Sequence, residues 1–245
     1  MIRPIDWTSA PVLRINLGEG VKAAFTTRFG GVSAPPWDTM NLSLTVGDNP
    51  TDVVQNRQRL SGWLGSPVAY AHQVHGAAVA EVAEVVQSPA VDAFVTSTPK
   101  VGLAILVADC APVLLADSVA GVIGAAHCGR SGLVAGVLQT TVAAMVRHGA
   151  RQITAALGPV ICGQCYEVPA TMRDEVADLI PQVAATTSWG TPAIDLAAGV
   201  RAVLAQLEIP VTDPVGCTRT DSRFFSYRAA AGAPIGRTAG VIALS

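Results

Sequence analysis

The feature that most constrains this chain is a series of short apolar runs, rich in Val, Ile and Ala, that have the length of strands and seldom alternate. They lie at Val21–Thr27, Pro67–His75, Val101–Ala108, Pro112–Ala116, Gly121–Ala126, Ile153–Leu157 and Thr238–Leu244. A strand with one wet face alternates apolar and polar side chains, whereas a run that is apolar throughout has both faces covered. Between the runs, the spacing predicts helices over 51–63 behind the turn signal Asp48-Asn49-Pro50, over 132–147 ending before Gly149, over 169–180, and over 194–207 ahead of Pro210. Two-sided strands mixed with helices, and no internal repeat, predict an α+β layered sandwich whose sheets are covered by helices or stacked on each other.

Length and charge narrow the function. A chain of 245 residues is long enough for one large domain or two small ones, and no low-complexity linker divides it, so a single domain over 1–245 is expected. Lys+Arg 16 against Asp+Glu 18 gives 16 − 18 = −2, with 14% charged and 50% hydrophobic residues, the composition of a well-packed globular chain. That balance supplies no field for a phosphate backbone or an anionic bilayer, so nucleic acid and membrane are not expected partners and any anion site must be local. The charge-free apolar stretches 101–108 and 131–146 fall short of the roughly 20 apolar residues of a membrane helix. The start Met1-Ile2-Arg3-Pro4-Ile5-Asp6 carries no apolar signal core, and five cysteines make an odd number in a chain able to bury its own core. Both features suggest a reducing cytoplasm, with Asn41-Leu42-Ser43 a chance match to a glycosylation acceptor.

Only four histidines exist, so the histidine chemistry can be enumerated. His75 in Gln73-Val74-His75-Gly76 and His127 in Ala126-His127-Cys128-Gly129 each end an apolar run, and between them sits Ala108-Asp109-Cys110-Ala111-Pro112. Two imidazoles and a thiolate form a good zinc set that leaves a fourth position for water or substrate. The spacings 110 − 75 = 35 and 127 − 110 = 17 put the three on separate elements, unlike a zinc knuckle. On composition and spacing alone, two ordinary strand-end histidines and a small buried thiol account for the residues equally well. Two long Gly/Pro-rich stretches, Gly30–Pro50 and Thr212–Arg237, have the size of functional loops.

The ordered set Thr26-Thr27-Arg28-Phe29-Gly30-Gly31-Val32-Ser33, Asn41-Leu42, Gly47-Asp48, Asn56-Arg57, Gln73-Val74-His75-Gly76, Asp92-Ala93, Asp109-Cys110-Ala111-Pro112, His127, Gly158-Pro159, Cys165-Tyr166-Glu167-Val168, Cys217-Thr218 and Phe224-Phe225-Ser226-Tyr227-Arg228 resembles the YfiH-like family, once called laccase-domain or multicopper polyphenol oxidase proteins. The resemblance implies a single α/β/β/α sandwich with mixed sheets, similar to the catalytic domain of cytotoxic necrotizing factor deamidases. It also implies a metal site at His75, Cys110 and His127, which are then the catalytic residues as well. The implied activity is zinc-dependent phosphorolysis of purine nucleosides (adenosine, inosine, methylthioadenosine) with adenosine deamination beside it, the partners being a small nucleoside and phosphate. One departure stands out: the family usually reads His-Ala-Gly-Trp-Arg-Gly, and here the run is His127-Cys128-Gly129-Arg130-Ser131-Gly132. On a strand, an arginine displaced by one residue would face the other way.

The remaining candidates are weighed against that reading. Arg28, Asn41 and Arg57 are the candidates for phosphate, the arginines through their planar fork; otherwise the arginines pin the long loop by bonding its carbonyls or Asp48. Phe224, Phe225 and Tyr227 beside Arg228 either stack a purine or close the core. His72, three residues before His75, points to the opposite face of a strand and belongs to the rim. His148 complements a helix C-terminus. Cys162-Gly163-Gln164-Cys165 has no second such pair, and it, Cys128 and Cys217 are assigned to packing. Three rival functions share the residues: copper-dependent phenol oxidation, with Cu²⁺ as the alternative ion; metal-free amide hydrolysis of a cell-wall precursor by Cys110 with a histidine base; and a binding module without turnover. A multicopper laccase fills its sites from paired His-x-His motifs, and this chain has none.

Overall fold

The computed structural model describes residues 12–85, 88–212 and 216–245. The reading of Met1–Asp6 as lacking an export signal falls outside the described residues, as do 213–215 of the second long loop.

The apolar runs form two sheets. The first has the order β1 (Val12–Ile15), β2 (Val21–Thr26), β13 (Thr238–Leu244), β6 (Gly102–Val107) and β3 (Val68–Tyr70), antiparallel except for the β3–β6 pair. The second has the order β12 (Val211–Thr212), β9 (Thr154–Leu157), β7 (Ala111–Asp117), β8 (Val122–Cys128), β5 (Ala93–Thr96) and β4 (Val79–Glu81), with parallel pairs at its two edges, while β10 (Ala184–Thr186) and β11 (Pro192–Ile194), which follow helix α4 (Ala170–Ala177), form a separate antiparallel pair. Both sheets are therefore mixed.

The absence of alternation has a direct cause in the packing. Along β7, Leu114 and Ala116 meet Leu103, Ile105, Phe25 and Ile242 between the sheets, while Val113 and Leu115 face a second core under α3 (Val137–Arg147) and α5 (Leu196–Gln206). On the far side of the first sheet, Ala24, Ala104 and Val241 pack against Leu60, Trp63 and Leu64 of α1 (Pro50–Leu64). The layers run helix, sheet, sheet, helix, and successive strand residues serve different cores. At about 25 cal/mol per Å² of apolar surface, three such interfaces outweigh any single polar contact in this chain.

The helices obey their caps. Asn49 caps α1 by accepting the Thr51 N–H, Pro50 opens it, and Gly65 ends it in the left-handed region at φ 82°. The single helix expected over 132–147 is instead two, α2 (Arg130–Ala135) and α3, because Gly136 takes φ 85° between them. The expected strand Pro67–His75 pairs only over Val68–Tyr70; beyond it the His72 N–H turns to the Pro89 carbonyl and the chain leaves the sheet. Among the described residues no helix is long and apolar enough to cross a membrane.

Candidate active site

Three chain segments meet at one edge of the sandwich. His127 is the next-to-last residue of β8; its neighbours Ala126 and Cys128 enter the helix-covered core, so its ring is turned toward the other side of the sheet. Cys110 ends the connection from β6 to β7 and packs against the inter-sheet core. His75 lies in the turn after β3, not at a strand end, with φ 61°. The ligand atoms of the three residues all lie within 4.8 Å of one another, and the two imidazole rings meet edge to face with centroids 4.7 Å apart.

One carboxylate organises two of the three. Asp92, fully buried at the head of β5, accepts the Val74, His75 and Gly76 N–H groups at 3.2, 2.9 and 2.7 Å and the His127 Nδ1 proton at 2.8 Å. Nδ1 of His127 is thereby committed, which leaves Nε2 for the site. Asp109, next to Cys110, adopts φ 98°, a conformation L-residues rarely hold. It is fixed there by the Thr218 hydroxyl at 2.6 Å and the Arg228 N–H at 2.7 Å, both donated to its carboxylate. Gly129 makes the close approach: a Cβ there would lie 3.0 Å from Cys110 Sγ and 3.2 Å from His75 Cδ2.

The electrostatics follow from the packing. Burial by itself would raise the Cys110 thiol, but hydrogen bonds and positive charge from His127 and His75 bring it down to about 6. Burial would lower His127, and its bonds to Asp92 and Cys110 outweigh that, raising it to about 9. The donor set is thus a thiolate beside a held imidazole, which suits a borderline-soft divalent ion.

A cavity of about 620 Å³ opens over these residues, lined also by Arg57, Arg228, Arg237, Tyr166 and Tyr227. Arg57 stacks on Tyr70 at 3.8 Å and donates Nε to the Leu42 carbonyl. Arg228 donates Nη1 to the Glu167 carbonyl and lies over Tyr166, while Arg237 donates to the Ile235 and Gly236 carbonyls. Of the residues expected at phosphate, Arg57 reaches the cavity. Arg28 and Asn41 do not line it: Arg28 bonds Asp38 and stacks on Phe225, and Asn41 bonds the Ser43 carbonyl and Asp48. Phe224 and Phe225 close the core, and only Tyr227 of that aromatic group faces the cavity. His72 is on the cavity wall, and His148 is tied to Glu81.

Arg130 departs from the strand geometry expected of it. It opens α2, where a one-residue shift turns a side chain by about 100° and does not reverse it. Its positive charge acts on Tyr166, on the cavity wall, opposing the rise that burial imposes on that hydroxyl's pKa.

Nothing in the spacing marks Asp92, Arg237 or Tyr166 for these places. Cys162, Cys165 and Cys217, expected only to pack, also come together, with sulfurs within 4.8 Å of one another.

Comparisons with known proteins give the family and agree with the fold. Residues 22–245 match the family described as multi-copper polyphenol oxidoreductase laccase. The chain is 52% identical over 220 residues to a Streptomyces griseus protein named purine nucleoside phosphorylase ORF3, covering 84% of this chain and 87% of that one. It is similar in structure to Neisseria meningitidis protein NMB0706, with TM-score 0.87, 35% identity and 96% and 99% of the two chains covered. The Bacillus licheniformis hypothetical protein YfiH superposes with TM-score 0.83 at 28% identity, covering 97% and 98%.

Proposed function

The chain belongs to the YfiH family, described as multi-copper polyphenol oxidoreductase laccase, and on that premise we propose that it is a purine nucleoside phosphorylase with a zinc site at His75, Cys110 and His127. The observation that carries this reading is one cavity lined by a two-imidazole, one-thiolate donor set together with three arginines and two tyrosines. When bound, zinc supplies a Lewis acid and lowers the pKa of its water toward about 7. The space kept open by Gly129 and the commitment of His127 Nδ1 to Asp92 both fit such an ion.

The protein's own groups do the remainder. Arg57, Arg228 and Arg237 hold phosphate; each is anchored by a carbonyl bond that leaves other N–H groups of its fork for the anion. Arg28 and Asn41 support this from behind, by fixing the loop whose Leu42 carbonyl holds Arg57. Tyr166 and Tyr227 flank the purine. In phosphorolysis a phosphate oxygen bonds to the anomeric carbon, the bond to the base nitrogen breaks with its electron pair on the base, and the base takes up a proton. Adenosine deamination exchanges the amino group for the elements of water and needs no phosphate. The reading places the enzyme in the cytoplasm, with inosine, adenosine and methylthioadenosine as substrates.

The test is base release from inosine with and without phosphate. Hypoxanthine should appear only with phosphate and in step with ribose 1-phosphate. Equal release in phosphate-free buffer overturns the reading.

One observation favours a second reading. Cys110, His127 and Asp92 also form a nucleophile, base and orienting carboxylate, which suits amide hydrolysis without metal. Amide hydrolysis that survives complete chelation and vanishes in Cys110→Ser would decide for it. Copper at the same donors is the alternative ion, since Cu²⁺ outcompetes Zn²⁺ for many nitrogen sites, and elemental analysis of protein purified without added metal separates the two.

A further inference from the structure

The second cluster of cysteines lies outside the cavity just described. Cys162 and Cys165 belong to one turn, in which the Cys165 and Tyr166 N–H groups both donate to the Cys162 carbonyl at 2.9 and 3.0 Å. Cys217 comes from a segment 217 − 165 = 52 residues further on and is brought alongside by a parallel bridge between Val160 and Cys217. Thr218 N–H donates to the Val160 carbonyl at 3.2 Å, and Cys162 N–H donates to Cys217 Sγ at 3.3 Å. A backbone N–H aimed at sulfur favours the thiolate form. The turn has little room to shift, because a Cβ at Gly163 would lie 2.9 Å from Asp195 Cβ.

Core packing accounts for only part of this arrangement: Cys165 belongs to the helix-covered core and Cys162 and Cys217 pack against it, but packing alone does not require three sulfurs to converge. Cys128, which does serve the core, is 0% exposed, whereas Cys162 and Cys217 are only half-buried. All three thiols are free. Their sulfurs lie within 4.8 Å of one another, and thiolates bound at about 2.3 Å to one tetrahedral ion lie about 3.8 Å apart, a difference that small side-chain rotations cover. Among the described residues no imidazole or carboxylate joins the group. A donor set made only of sulfur selects soft ions over hard ones.

We propose that Cys162, Cys165 and Cys217 form a second metal site, distinct from His75, Cys110 and His127, for a thiophilic ion such as Zn²⁺ or Cu⁺. Binding forms three metal–sulfur bonds and releases to solvent the proton of each thiol that carries one; no electron is transferred. A fourth ligand would be water or a small thiol. The ion would staple the segment carrying Ile161 and Tyr166, which line the cavity, to the segment whose Thr218 hydroxyl holds Asp109. Two cavity walls would then be joined by a link independent of the first site.

The experiment uses the full chain with the first site disabled by Cys110→Ala. Protein stripped by chelator under reducing conditions is reloaded with Zn²⁺, Cu⁺ or Co²⁺ in separate arms, desalted and analysed for metal. Wild type should hold about two zinc ions per chain and Cys110→Ala about one. Cobalt in Cys110→Ala should show intense sulfur-to-cobalt charge-transfer absorption, and zinc should slow alkylation of Cys162 and Cys217. Adding Cys162→Ser and Cys217→Ser, at positions exposed enough to tolerate the change, should abolish both signals with the circular dichroism unchanged. The same two substitutions with Cys110 intact should leave the first site loaded, so failure of one site is distinguishable from failure of the other. Folded Cys110→Ala that retains no ion in any arm overturns the proposal, as does retention of the ion when Cys162 and Cys217 are both Ser.

Discussion

Replacing Asp92 by Asn alters the site without touching a ligand. The buried carboxylate accepts four hydrogen bonds: Oδ1 takes His127 Nδ1 and the His75 N–H, and Oδ2 takes the Val74 and Gly76 N–H groups. An amide of the same shape has one oxygen and one NH₂. With its oxygen toward His127, the NH₂ meets two backbone donors; turned round, it meets the imidazole Nδ1–H. Either way at least two bonds are lost, and those that remain are no longer charge-assisted. Such a bond contributes about 1.5–3 kcal/mol and a buried orphan donor costs about 1–3 kcal/mol, so the loss is on the order of 2–4 kcal/mol. For a chain of this size that lowers the melting temperature by about 4–16 °C, at about 2–4 °C per kcal/mol.

The effect on metal is separable from the effect on folding. Loss of an outer-shell partner typically lowers affinity by about 10–100-fold, which competition against a chelating dye at neutral pH would read on protein confirmed folded by circular dichroism. A third readout is independent of metal. Without Asp92 the His127 imidazolium weakens, so the Cys110 thiolate loses support and its alkylation inflection moves up from about 6. Folded Asp92→Asn with zinc affinity within about threefold of wild type and an unmoved inflection would refute the assignment of Asp92 as the residue that positions His75 and His127.

In metal-free protein the rate of Cys110 alkylation should rise with an inflection near 6: a depressed thiol keeps its charged form, and the stability it contributes, above the ordinary thiol range and loses both as pH falls through that value. Zinc should suppress the reaction, and an inflection near the usual thiol value would show that the imidazoles do not act on this sulfur. Gly129→Ala places a methyl 3.0 Å from Cys110 Sγ and should weaken zinc binding by about 10-fold or more in a folded protein, whereas unchanged affinity would mean that the ligands do not need that space. Arg57→Ala should raise the KM for phosphate more than the KM for nucleoside; equal changes in both would remove Arg57 from the anion site.

The two-sheet sandwich was legible because burial on both faces leaves a run apolar at every position, as in β7, where Leu114 and Val113 serve different cores. The short edge strands were not, since β4 and β12 hold three and two residues and carry no period. The break at Gly136 is hidden in the sequence because the residues around it keep a helical apolar pattern, and only the left-handed glycine interrupts it. His75, Cys110 and His127 are legible through the family resemblance, although the apolar run predicts a strand where His75 sits in a turn. Asp92 is one acidic residue among 18 and acquires its role only through the fold. The third cysteine of the sulfur cluster is hidden for a similar reason: the bridge between Val160 and Cys217 is a long-range pairing with no local sequence sign.

The anion side of the cavity shows why a net charge of −2 does not exclude an anionic substrate. Burial lowers the affinity of Arg57 and Arg237 for their protons, yet a guanidinium starts so high that both stay charged. Arg237 receives partial compensation from the charges of Asp109 and Cys110, and Arg57 has the face of Tyr70 beneath it. Part of each fork is spent on main-chain carbonyls, which fixes its direction, and both side chains line the cavity. A dianion entering there replaces the solvent these cations have lost and meets donors already oriented. On the proposed function, recognition rests on a few desolvated charges and not on the field of the whole molecule, so a chain near neutrality can still take phosphate.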